Sequence, residues 1–64
     1  MRNPKRIKPM LDLIESIWKE SPDLRLCQLL SHGARYAEWT QDDLFGLEDE
    51  DLAEGLKKFK EVEQ

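Results

Sequence analysis

Cys27 is the only cysteine of the 64-residue chain and His32 its only histidine, so a nucleophilic thiol and its base would have to be this pair. A thiol near a helix N-terminus ionises more readily, and it needs an imidazole within hydrogen-bond reach to act on a substrate. Five positions of ideal helix carry His32 about 140° round from Cys27, onto a different face. The two read as a small core or boundary cysteine and a surface or capping histidine. One cysteine forms no internal disulfide, and no Cys/His cluster has zinc-site spacing.

Carboxylates are the second feature with chemical potential. From Asp42 to Glu54 every ionisable residue is acidic: Asp42, Asp43, Glu48, Asp49, Glu50, Asp51 and Glu54. Such a run makes a solvated face leading into a helix N-terminus, a surface that docks on a basic protein, or a metal site. The calcium-loop pattern of alternating acids before a glycine is absent, which leaves the metal reading without support. At the other end Arg2, Lys5, Arg6 and Lys8 are the only ionisable side chains of the first eight residues. They could touch phosphates, but no aromatics are interleaved, and the net charge of −4 opposes nucleic-acid affinity. No P-loop, dinucleotide fingerprint or catalytic triad is present, and no enzyme activity or cofactor is expected.

These groups need elements to hold them. Ile7, Met10, Leu11, Ile14, Ile17 and Trp18 follow helical spacing and predict a first helix over about 4–20, with one apolar stripe. Asn3 before Pro4 reads as an N-cap with proline at the first helical position, and Pro9 makes the early turns irregular. Ser21-Pro22-Asp23 stops that helix and caps a second over about 23–32, with Leu26, Leu29 and Leu30 apolar and Gly33 as its left-handed terminus. The segment from Ala34 to Leu47 reads as an irregular connector laying Trp39, Leu44, Phe45 and Leu47 onto the core, with Thr40 and Asp43 as a local capping box. A third helix over about 49–61 begins with acids and ends with lysines, and buries Leu52, Leu56 and Phe59. Gly55 weakens it by roughly 1 kcal/mol relative to alanine, or else lets another helix come close.

A chain this short buries only about 60% of its unfolded surface. Hydrophobic residues make up 39% of it, with two tryptophans and two phenylalanines, enough for a core. No apolar run approaches the roughly 20 residues that span a bilayer, and no signal-peptide core follows the basic start. The expectation is a soluble, cytoplasmic protein.

The run "LDLIESIWKESPDLRLCQLL" and, more loosely, "DLFGLEDEDLAEGLKKF" resemble the YihD-like family of short bacterial proteins, a domain of unknown function. The likeness rests on an amphipathic helix ending in Trp18, then Pro22-Asp23-Leu24, a leucine-rich helix with Gln28 and Leu29, and an acidic turn before a closing helix. It covers most of the chain and includes no catalytic motif. The resemblance implies a bacterial, cytosolic protein with relatives in phages and other mobile elements, and carries no reaction with it.

The residues together predict an all-α domain of three helices, the first two packing on the third. The expected role is a small protein-interaction module docking through Trp39, Phe45, Glu48, Asp49, Glu50 and Asp51 on an acidic surface within 42–54. Two alternatives stand beside it: a nucleic-acid-associated protein using Arg2, Lys5, Arg6 and Lys8, and a homodimeric structural protein. Aromatics are frequent interface anchors, so two tryptophans in so small a domain favour a partner or a second copy.

Overall fold

The computed structural model describes residues 2–64. A 3-10 turn at Pro4–Arg6 leads into α1 (Ile7–Glu20), followed by α2 (Leu26–Tyr36) and α3 (Asp49–Glu63), and no strand occurs among the described residues. The all-α, three-helix class is the one the sequence predicts.

Asn3 and Pro4 act as expected: the Asn3 side chain accepts from the Lys5 amide at 2.9 Å, and Pro4 opens the first turn. The chain passes from 3-10 to α geometry between Arg6 and Ile7. Pro9 therefore falls at the third residue of α1, where its missing N–H is one that the helix leaves unbonded anyway. No kink is needed.

Beyond α1 the chain turns at Ser21–Leu24, closed by the Leu24 amide donating to the Ser21 carbonyl at 3.1 Å. Trp18 clamps this corner, its Nε1–H donating to the Leu24 carbonyl at 2.7 Å. Ser21 and Asp23 thus belong to the corner and do not cap α2, which starts three residues later than expected. Arg25 is extended, and its amide is capped by Gln28 Oε1 at 2.8 Å.

The end of α2 differs more. Gly33 does not stop the helix; it lies buried inside it, and α2 runs on to Tyr36. Gly33 is used for packing. A Cβ built on Gly55 would sit 1.8 Å from the Gly33 carbonyl oxygen, so backbone meets backbone where α2 crosses α3. The close approach suggested by Gly55 is realised, with Gly33 on the facing helix. The left-handed terminus falls instead to Glu38, at φ 61. Its amide donates to the Arg35 carbonyl and that of Trp39 to the Ala34 carbonyl, both at 3.0 Å, which is the Schellman pattern without its glycine.

Ile17, Leu29, Leu56 and Phe59 form the buried centre, with Met10, Leu13, Ile14, Trp18, Leu24, Tyr36 and Leu52 packed against it. α3 is the common support for α1 and α2. The first-helix stripe divides in two: Met10, Ile14, Ile17 and Trp18, joined by Leu13, pack on the core, while Ile7 and Leu11 are exposed. At the far end, Gln64 Nε2 donates to the Ile17 carbonyl at 3.1 Å and to Ser21 Oγ at 2.6 Å, joining the last residue to the end of α1.

Candidate functional site

The connector between α2 and α3 owes its shape to side chain–backbone bonds. Trp39 Nε1–H donates to the Asp43 carbonyl at 2.7 Å, tying the indole across the loop. Asp43 Oδ1 in turn accepts from the Phe45 amide at 3.2 Å, a local turn that aspartate favours. The Leu47 amide donates to the Leu44 carbonyl at 3.1 Å and closes the next turn. Gly46 lies against the indole, where a Cβ would stand 3.3 Å from Trp39 Cη2. Thr40 takes no part in capping; the turn is built by Asp43 alone.

This scaffold corrects one expectation. Trp39 and Leu47 are half-buried, but Phe45 is 99% exposed and packs on nothing. It projects from the turn with Leu44 partly exposed beside it in sequence, and Asp42 and Asp43 before them.

Glu48 leads into α3 in extended conformation, and Asp49, Glu50 and Asp51 occupy its first turn, where the helix dipole favours negative charge. The basic arm meets the acidic turn here. Arg2 pairs with Glu48 at 3.0 Å, and Arg6 pairs with Asp49. The two surfaces read from the sequence as rival binding sites thus neutralise part of each other, leaving Glu50 and Asp51 outside these pairs. Lys8 is engaged elsewhere, with Asp12 one turn along α1 at 2.7 Å, and that hydrogen bond holds its pKa above the ordinary 10.5.

Cys27 is exposed, contrary to the core or boundary placement expected for it. α2 buries Leu29, Gly33 and Ala34, and Cys27, in its first turn, is not among them. His32 is likewise not a surface or capping residue. Its ring stacks on Phe59 with centroids 4.9 Å apart and 12° between planes, and Nδ1 is buried without a hydrogen-bond partner. Cys27 and His32 do border one shallow depression with Gln28, Ser31 and Arg35, yet the histidine is committed to the phenyl face. Among the described residues no three His, Cys, Asp or Glu side chains are grouped to hold a metal ion, and no helix is long and apolar enough to cross a membrane.

One feature escaped the sequence reading. Between α1 and α2 runs an open apolar groove lined by Leu11, Ile14 and Trp18 on one side and Leu26 and Leu30 on the other, with Pro22 at the corner. Its α1 wall is legible in the helical spacing of Leu11, Ile14 and Trp18, which belong to the same predicted stripe as the core residues. Searches of protein-family models, curated proteins and solved structures return no match to this chain.

Proposed function

We propose that the protein acts by binding another protein, inserting Phe45 into an apolar pocket whose rim is basic. The exposure of Phe45 on a braced turn carries this reading. Single exposed apolar side chains are ordinary on protein surfaces. Phe45 differs because the turn beneath it is fixed by the Trp39 and Asp43 hydrogen bonds, so a phenyl ring is presented with little backbone entropy left to lose on binding. Asp42, Asp43, Glu50 and Asp51 supply the negative field that suits a basic rim and speeds encounter.

The acidic docking surface is thereby narrowed. Glu48 and Asp49 serve the fold through Arg2 and Arg6, and Trp39 braces the turn that carries Phe45. The same ion pairs weigh against a nucleic-acid role, because they occupy two of the four cations of the basic arm. A place among YihD-like proteins belongs to this reading as a relationship of fold.

The test is comparative capture from bacterial lysate with wild type, Phe45→Ala, and the double variant Asp42→Lys/Asp51→Lys. Loss of a buried aromatic anchor costs about 2 kcal/mol or more, roughly a thirtyfold weakening. Both variants should lose the partner while keeping the wild-type circular dichroism. A partner retained by Phe45→Ala at full strength removes the basis of the proposal.

A further inference from the structure

Two of the large exposed hydrophobic side chains of this protein, Leu11 and Leu26, line a single groove, and Ile7 lies one turn ahead of Leu11 on α1. Ile7 is 48% exposed, Leu11 58% and Leu26 41%; the others, Leu44, Phe45 and Val62, lie elsewhere in the chain. On α1, Ile7, Leu11, Ile14 and Trp18 are spaced by four, three and four residues, the seam of a coiled coil; Ile7 and Leu11 are exposed, while Ile14 and Trp18 are half-buried at the edge of the core and still line the groove. Leu26 and Leu30 of α2 continue the apolar surface beside this seam. A helix laid along α1 would cover it.

Charge selects which helix. In heptad terms Leu11 and Trp18 take the a positions, Ile7 and Ile14 the d positions, and Lys8 and Glu15 the flanking e positions. An antiparallel copy of α1 pairs a with d: Ile7 with Trp18, and Leu11 with Ile14, each twice about a two-fold axis. The same register brings Lys8 of one copy opposite Glu15 of the other, also twice. The opposite flank, Met10 and Ile17, is taken up on the α3 side, so the exposed flank is the one whose charges must match. The four charges along that side, Lys8, Asp12, Glu15 and Lys19, sum to zero on a chain of net charge −4. A rim that is locally neutral and alternately signed suits a copy of itself better than a strongly acidic or basic partner.

We infer that the α1 seam is a homodimer interface in which two copies pair α1 antiparallel, with Lys8 facing Glu15 across the two-fold axis and Leu26 and Leu30 flanking the seam. The existing pairs of Lys8 with Asp12 and Glu15 with Lys19 are solvent-exposed contacts within one helix, and they exchange readily for intersubunit ones. This interface uses none of the connector residues, so it stands or falls apart from the Phe45 reading.

The experiment is light scattering and sedimentation equilibrium over a concentration series, at low and moderate salt. Wild type should reach twice the 7.6 kDa chain mass. Leu11→Lys, at an exposed position that leaves the core intact, should remain a monomer with unchanged circular dichroism. Lys8→Glu and Glu15→Lys should each weaken self-association at least tenfold. An equimolar mixture of the two variants, and the double variant Lys8→Glu/Glu15→Lys, should recover it, because each restores opposite charges across the axis. A wild-type chain that stays monomeric at millimolar concentration overturns the proposal and leaves the seam to a different occupant. So does a dimer indifferent to Leu11→Lys, or one whose single charge variants fail to complement each other.

Discussion

Gly55→Ala sets two physical effects against each other at one position. In an exposed helix interior this substitution stabilises by about 1 kcal/mol, partly by restricting the unfolded chain. Here the added methyl would lie 1.8 Å from the Gly33 carbonyl oxygen and 2.9 Å from the Ala37 nitrogen, where real Cβ contacts do not fall below 3.0 Å. The shortfall is about 1.2 Å, and the nearest obstacle is backbone, which cannot rotate away as a side chain can. α2 and α3 must separate or slide, and a gap of about 1 Å forfeits up to half the attraction of each contact across it. Leu29, Leu56 and Phe59 lie in the core those helices share. Overpacking costs about 3 kcal/mol at the upper end of its usual range, so the net loss is about 2 kcal/mol or more after the propensity gain. For a domain of this size that lowers Tm by at least about 10 °C. Thermal and urea unfolding, followed by circular dichroism and tryptophan fluorescence, read it directly. Gly33→Ala supplies the comparison: its methyl meets the ends of the Leu52 and Leu56 side chains at 2.9 Å, which can shift, and its loss should be smaller. A Gly55→Ala protein with raised Tm would refute the close approach, and equal losses at the two glycines would refute the ranking.

Two further substitutions test local features of the fold. Glu38 holds φ 61 at the end of α2, a conformation that costs a side chain about 1–2 kcal/mol, so Glu38→Gly should raise stability by about 0.5–1 kcal/mol after the unfolded-state entropy of glycine is deducted, measured by urea unfolding. Tyr36 donates its hydroxyl to the Glu63 carboxylate, and that bond, followed by burial and the nearby negative charge, raises the phenol pKa above its ordinary 10.0. Because the folded value is the higher one, the contribution is complete below the unfolded pKa and is lost as pH rises through the folded pKa. Glu63→Ala should move the ultraviolet phenolate titration of this single tyrosine down toward 10.0; an unmoved titration would contradict the contact.

How far the sequence disclosed the fold depended on whether a local signal had one physical use or two. α3 starts at Asp49 as its acids indicate, because dipole, charge and apolar spacing agree there. Gly33 is the contrary case. A glycine after an apolar run serves equally as a left-handed terminus or as a place where helices touch, and only the position of Gly55 on the facing helix decides between them. Misreading it ended α2 too early and hid Glu38, a residue type with no terminus signature. Ending α2 at Gly33 also made His32 a capping residue, whereas the helix runs on past it and the ring stacks on Phe59. Phe45 carries two expectations, packing onto the core with Leu44 and Leu47 and facing outward on the docking surface; its exposure decides for the outward placement, and the Asp43 turn that points it outward leaves no trace in the apolar pattern. Pairing of Arg2 with Glu48 and Arg6 with Asp49 spans more than forty residues, and no short-range pattern announces it.

The distribution of packing also bears on why α1 would seek a second copy. α2 and α3 touch backbone to backbone, and between them they supply Leu29, Leu56 and Phe59 to the buried centre, whereas α1 contributes Ile17 alone. Met10, Leu13, Ile14 and Trp18 pack on that centre only half-buried, and the ends of α1 are held by polar contacts: Arg2 and Arg6 on the start of α3, Trp18 on the corner, and Gln64 on the Ile17 carbonyl and Ser21. The ion pairs are solvent-exposed and individually weak, about 0–1 kcal/mol each. Chains of this length commonly complete a thin core by oligomerising. Covering Ile7 and Leu11 against a second α1 would add apolar burial to a helix with a single fully buried side chain. Dimerisation and the seating of α1 should therefore be coupled: amide exchange along α1 should slow with protein concentration, exchange along α3 at Leu56 should change far less, and Leu11→Lys should abolish the concentration dependence while sparing Leu56.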